Sequence, residues 1–273
     1  MDTRPSRFID FHVHVFPDDI APKAIARFVD VYGAPPLSDG TVSGTLAYMD
    51  EAGIDIFVPQ PVATKPSQVR SINDWALSIR SDRVIPFASI HPGYPDIEGE
   101  IGRLASEGFR GIKLQPDWQE FYPDDEEAFP IYEAAQGRLA IMFHAGREIK
   151  EMDIVRATPE RLLKVHQRFR GLTMIAAHMG GYQSWHDAEA SLSGTGVYFD
   201  ISYCPENELP TPELVRLIRK HGTGRVLFAS DFPFADPKKD VERLAAIPLS
   251  EQEKEDIAWR NGARLLALGG GCI

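Results

Sequence analysis

Eight apolar runs rich in Val, Ile, Phe and Ala punctuate the chain: FIDFHVH from residue 8, DIFVPQPV from 55, VIPFASIHP from 84, GIKLQP from 111, LAIMFHAG from 139, LTMIAAHMGG from 172, VYFDISY from 197 and RVLFASDFPF from 225. Each reads as a buried strand. After a first interval of 47 residues, successive starts lie 25 to 33 residues apart, the length of one strand, one helix and two short loops. The connecting segments carry helix punctuation. Thr158 and Thr211 read as N-caps ahead of Pro159 and Pro212, Ser250 with Glu253 reads as a capping box, and Gly53, Gly108, Gly137, Gly171 and Gly222 read as stops. Strands that alternate with helices run parallel. Eight such units in 273 residues are the inventory of an α/β fold, a single (β/α)8 TIM barrel forming one domain over residues 1–273. The long first interval predicts an insertion after strand 1, with helical patterns at 18–31 and 45–52 around the passage GAPPLSDGTVSG. In a barrel this insertion emerges at the mouth, where it can cover or shape a substrate. An open doubly wound sheet would carry a glycine loop after its first strand, whereas this strand ends in His-Val-His-Val-Phe-Pro.

Composition narrows the partners. With 43% hydrophobic and 25% charged residues the chain is of ordinary globular type. A formal charge of −11, with eight histidines uncounted, argues against nucleic acid and anionic membranes, both of which need a basic surface. No apolar run approaches the roughly 20 residues of a membrane helix, and the start shows no secretory pattern. The two cysteines, Cys204 and Cys272, form no disulfide framework and no zinc spacing, so the cytoplasm is the expected location. The Gly-Gly-Gly-Cys-Ile tail reads as a frayed end.

Chemistry collects at the ends of the strands. Alternation places Asp10, His12 and His14 on one face of the first strand, with Phe11 and Val13 on the other. A cation held by the two imidazoles would find further ligands at other strand ends, where His144, His178 and Asp231 fall. A lone histidine there is more often a hydrogen-bonded structural group. Four histidines and an aspartate, all in phase with otherwise apolar strands, point instead to a metal centre, because burying such groups is costly unless they are paired or bind an ion. His166 and His221, in helical patterns beside Arg and Lys, read as solvated surface, as does His186.

The FIDFHVH start, the histidine of IMFHAG, IAAHMGG and LFASDFPF, in this order, resemble the amidohydrolase superfamily, in particular the amidohydrolase-related branch that includes aminocarboxymuconate-semialdehyde decarboxylase. The resemblance runs from Phe8 to about Leu268. It implies metal ligation by His12, His14, His144 and Asp231, with His178 and Asp231 as the catalytic acid/base groups. Three neutral imidazoles and one carboxylate leave a divalent ion a net charge of about +1, enough to lower the pKa of a bound water from about 15.7 toward roughly 7. This N/O set suits one Zn2+ ion, with Mn2+, Fe2+ and Co2+ also accommodated. Homodimers are common in the resembled branch.

Lys113 in GIKLQP stands where binuclear members of the superfamily carry a carboxylated lysine bridging two metals. Its other readings are a grip on a substrate carboxylate and a core pairing with Asp10 or Asp200. Arg147 is shaped to clamp a carboxylate, or else pairs with Glu148 or Glu151 at the surface. His91 contacts substrate or caps its loop. Trp118 and Phe121 offer aromatic walls, Phe16 and Pro17 an entrance, and Tyr203 and Cys204 end strand seven, the thiol having no base partner. The first expectation for the reaction is hydrolysis of an amide, lactone or keto-acid C–C bond in a small carboxylate-bearing molecule. The alternative is metal-dependent, non-oxidative decarboxylation of an aromatic or unsaturated acid. A non-catalytic metal-binding barrel is the remaining one.

Overall fold

A computed structural model describes residues 4–33, 36–149 and 153–268. Cys272, the glycine-rich tail, Glu151 and part of the GAPPLSDGTVSG passage lie outside the described residues. All eight predicted strands are present and parallel: β1 Ile9–Val13, β2 Ile56–Pro59, β3 Ala88–Ser89, β4 Gly111–Leu114, β5 Ala140–Phe143, β6 Met174–Ala176, β7 Tyr198–Asp200 and β8 Val226–Leu227. They pair in sequence order from β3 to β8 and as β1 with β2. Two seams close the ring. At one, Ile85 N donates to Phe57 O (3.1 Å) and Phe87 N to Pro59 O (3.0 Å); at the other, Phe11 N donates to Phe228 O (3.0 Å) and Asp231 N to His12 O (2.8 Å). The result is a (β/α)8 barrel. The insertion after β1 carries two helices, α1 Ala21–Tyr32 and α2 Val42–Ala52, and α3 Val69–Ser78 follows β2. Among the described residues, no helix is long and apolar enough to cross a membrane.

Side-chain alternation builds two cores. Ile112, Leu114, Ile141, Phe143 and Phe199 face the helices, while Ile9, Phe11, Val58, Phe87, Met142 and Ile175 fill the barrel, joined by Leu266 near the end of the chain. Strand β1 departs from the expected phase. Phe11 belongs with Ile9 in the barrel interior, Val13 belongs to the outer core, and the register with β2 shifts between Asp10 and Val13. Such an irregularity re-aims the side chains that follow it. His12 and His14 reach the interior because of this slip, and Asp10 does not join them. Its carboxylate accepts from Ser230 N (3.0 Å) and Ser230 Oγ (2.5 Å).

Local signals held at Thr158, which accepts from Arg161 N, at the Ser250–Glu253 capping box, and at Gly53, which ends α2 with φ 74°. Thr211 is a correction. It is the first helical residue rather than the cap, Pro210 precedes it, and its hydroxyl donates to Glu206 (2.7 Å).

His221 is a second correction. It is buried at 4% exposure, its ring stacked on Phe199 at 3.8 Å and 11°. Burial pushes its pKa from 6.5 down to about 4. The unfolded chain therefore binds a proton that the folded chain refuses between those values, so stability is complete above 6.5 and is lost as pH falls toward 4, at roughly 1.4 kcal/mol per pH unit. His221→Phe keeps the stack and removes the titration. Its urea midpoint is expected to fall less than the wild type's between about pH 7.5 and about pH 5; equal falls would assign the acid sensitivity elsewhere.

Candidate metal centre

The C-terminal ends of β1 and β8 bring His12, His14 and Asp231 together. Asp231 Oδ1 lies 3.1 Å from His14 Nε2 and 3.5 Å from His12 Nε2, and one ligand atom from each residue falls within 4.8 Å of the others. Asp231 and His178 leave their strands in the left-handed region, at φ 71° and 58°, which costs on the order of 1–3 kcal/mol per residue and persists only when surroundings enforce it. Here Asp231 N is held by His12 O, and His178 N donates to Asp200 Oδ1 (2.9 Å).

Asp200 and Ser202, at the end of β7, organise the cluster. The Asp200 carboxylate accepts from His178 N, from Ser202 N (3.0 Å) and Oγ (2.5 Å), and from His12 Nδ1 (3.1 Å). Burial alone would raise its pKa, but the hydrogen bond and charge of His12 hold it well below the usual carboxylate range. These acceptors fix the tautomers. His12 donates from Nδ1 to Asp200, leaving Nε2 bare. His178 donates from Nδ1 to Ser202 O (3.1 Å), leaving Nε2 bare. His144 donates from Nε2 to Arg147 O (3.1 Å), with Glu148 Oε1 at 3.2 Å, leaving Nδ1 bare. His144 Nδ1 then faces His178 Nε2 at 3.2 Å, and Lys113 Nζ stands 3.0 Å from His12 Nε2. Two lone pairs at such a distance repel unless a positive charge lies between them or close by, and an ammonium already caps the third. The donor set suits a cation.

Protonation agrees. Burial first, then Lys113, pushes His12 down to about 3 and His144 to about 4; burial and the neighbouring His144 lower His178. All three are neutral near pH 7. Burial would raise Asp231, but the adjacent His12 and His14 hold it far below the ordinary range, so it is ionised.

The expected residues are not all equally close. His144 stands outside the compact triplet, in a second group with Asp117 and Glu148, while His178 shares a third with His12 and Asp200. His178 links them, stacked on His12 (5.2 Å between centroids, 29°) and edge-on to His144 (4.9 Å, 65°). Gly146 lets the loop after β5 turn back here: at φ 82° it lies against the backbone of Tyr182, where a Cβ would collide. Lys113 is 2% exposed on the inner side of β4, and burial pushes it down to about 8. It does not pair with Asp10, whose oxygens are held by Ser230.

A cavity of about 700 Å3 opens above the cluster, with His12, His14, His144, His178, Asp231 and Lys113 among its lining. Arg147, Trp118, Tyr203, Phe16 and Pro17 also line it. Arg147 is exposed and makes no ion pair among the described residues, and Glu148 is engaged instead with Gln115 Nε2 (2.6 Å) and His144. His91 is not brought to this cavity. Its Nδ1 accepts from Gly93 N (3.0 Å), the loop-capping alternative, and it lines a separate pocket. Phe121 is core, and Cys204 is a buried thiol whose pKa burial raises. Sequence reading missed Ser202 and Asp117 altogether, and took Asp200 and Glu148 only as partners of Lys113 and Arg147. The available signal was the alternation of Asp200 and Ser202 in VYFDISY, which puts two polar groups inside the barrel.

The amidohydrolase family model matches residues 9–268. No curated protein sequence matches the chain. Among solved structures it is similar to 5-carboxyvanillate decarboxylase from Sphingomonas paucimobilis, at 17% identity and a TM-score of 0.73, covering 97% of this chain and 100% of that one. It is similar to an uncharacterised TIM-barrel protein from Bordetella bronchiseptica, at 18% and 0.74, covering 96% and 98%. A third is the dihydroxybenzoic acid decarboxylase of Polaromonas sp. JS666 with bound manganese and the inhibitor 2-nitroresorcinol, at 17% and 0.72, covering 96% and 97%.

Proposed function

This chain belongs to the amidohydrolase family and is an enzyme, and on that premise we propose that it is a metal-dependent decarboxylase of a small aromatic carboxylic acid. The observation that carries the reading is the convergence of three bare imidazole nitrogens and an ionised Asp231 at the end of a largely apolar cavity. Such a cavity suits an apolar aromatic ring, and decarboxylation consumes no water. Likeness to decarboxylases of ring acids along nearly the full length of both chains supports it.

His12 and His14 through Nε2, Asp231 through Oδ1 and His144 through Nδ1 would hold one divalent ion. When bound, that ion supplies a Lewis-acid charge that anchors the acid and stabilises negative charge developing on it. The neutral His178, fixed by Ser202 at Nδ1, takes up a proton at Nε2 and delivers it to the ring carbon that bears the carboxylate. The C–C bond then breaks, its electron pair returns to the ring and CO2 leaves. Lys113 and Arg147 bind the anionic substituents, and Trp118 and Tyr203 flank the ring. The ligand set suits zinc; manganese, bound in the Polaromonas structure, is the ion to compare.

The test is to load the chain with Mn2+ or Zn2+ and follow CO2 release from 2,6-dihydroxybenzoate, 5-carboxyvanillate and related acids. Metal-dependent CO2 release is expected. Its absence, together with oxygen-18 from water entering the carboxylate of a cleaved amide or lactone, would replace this reading with hydrolysis. Arg147→Lys is expected to raise KM about tenfold or more with little change in kcat, because an ammonium cannot reproduce the guanidinium fork; an unaltered KM would remove Arg147 from substrate binding.

A further inference from the structure

Resting on the aromatic-acid reading, we propose that the substrate is larger than a monocyclic benzoate and carries an apolar extension, a second ring or an alkyl chain, seated in a sleeve lined by α1 and α3. A cavity of about 700 Å3 has room for roughly two dozen water-sized groups at ~30 Å3 each. A dihydroxybenzoate has about half that many heavy atoms, so a bare benzoate held at the metal centre leaves much of the space unfilled.

The walls of that space are mostly apolar, with Lys23 and Arg27 of α1 and Thr64, Gln68 and Ser71 around the start of α3 also among its lining. Ile20, the cap residue of α1, and Ala24 and Phe28 within the helix follow one another at four-residue spacing, one stripe along it, and all three line the cavity. Ile72 and Trp75 line it from α3, and Phe234 from the loop after β8, its ring centroid 4.5 Å from that of Phe28. None of the six is buried by the chain itself, and Ile20 is 49% exposed. Ile72 and Trp75 are partly buried against the core, and Ile20 is one of four large apolar side chains that are exposed among the described residues. A concave apolar surface left wet is unfavourable, and an apolar substituent that covers it recovers that loss. Ala24 is the smallest side chain in the stripe, so its size sets the room available to the extension.

Titration calorimetry of the full, Mn2+-loaded chain with 2-hydroxybenzoate and its 4-phenyl and 5-phenyl derivatives tests this. At least one phenyl derivative is expected to bind about tenfold or more tightly than the parent acid. Ala24→Trp is expected to bring that ratio close to one. Parent acid bound in a metal-dependent way, with both phenyl derivatives equal or weaker, would overturn the extended substrate and leave the decarboxylase reading standing. Binding of none of the three acids would overturn the aromatic-acid reading and this inference with it. A phenyl preference undiminished in Ala24→Trp would place the extension outside the sleeve and overturn the assignment of its site.

Discussion

Asp231→Asn is expected to strip the chain of its metal and abolish turnover. The substitution suits the backbone, because asparagine tolerates the left-handed φ of 71° better than most residues. It keeps the side-chain shape and removes the one formal negative charge proposed to bind the ion. Without that charge, three neutral imidazoles leave a divalent ion at about +2 instead of about +1, in a site where burial already disfavours charge. Loss of partners one layer further out typically costs 10–100-fold in metal affinity, and a ligand itself is expected to cost more than about 100-fold. Elemental analysis of the dialysed protein, together with turnover, reads the result. His12→Ala is expected to do the same by removing Nε2, and in addition to leave Asp200 and Lys113 without their contacts to the ring. Full metal occupancy and unchanged turnover in both variants would remove these residues from the centre.

The period of the barrel was legible because each βα unit must bury its strand on both faces. That requirement writes continuous apolar runs at a fixed spacing, whatever the site does. The runs are longer than the ladders they form: LTMIAAHMGG yields only Met174–Ala176, since the strand end must bend at His178 to aim its imidazole inward. The phase of β1 was not legible. A two-residue alternation assumes an unbroken ladder, and one slip between Asp10 and Val13 moved Phe11 to the inside and separated Asp10 from the two histidines. His221 was misplaced because charged neighbours on its helix say nothing of an aromatic partner on a distant strand, Phe199.

The site was legible as a rim rather than as a shell. Strand ends announce which groups arrive at one face, so His12, His14, His144, His178 and Asp231 could be named together. They do not announce what lies behind each group. That His12 leans on Asp200, that Ser202 fixes His178, and that His144 stands among Asp117 and Glu148 depend on contacts between residues up to 188 positions apart. Those contacts decide which nitrogen is bare, and hence which atom can meet an ion or a substrate.

His178→Asn separates proton transfer from metal binding. Asparagine also accepts the left-handed φ, 58° here, and its amide can donate to Ser202 O as Nδ1 does now, so the turn after β6 and the contacts of Asp200 are expected to survive. What it cannot do is carry a proton at the position of Nε2. A positioned acid/base group contributes about 10²–10⁴-fold, and kcat is expected to fall by that factor while metal content stays at the wild-type level. The control is thermal denaturation, which should show a folded protein of similar midpoint. An unchanged kcat would take His178 out of the chemistry. Loss of the metal instead would move its imidazole into the coordination shell with His12, and proton delivery would then fall to Asp231 or a group from the cavity wall.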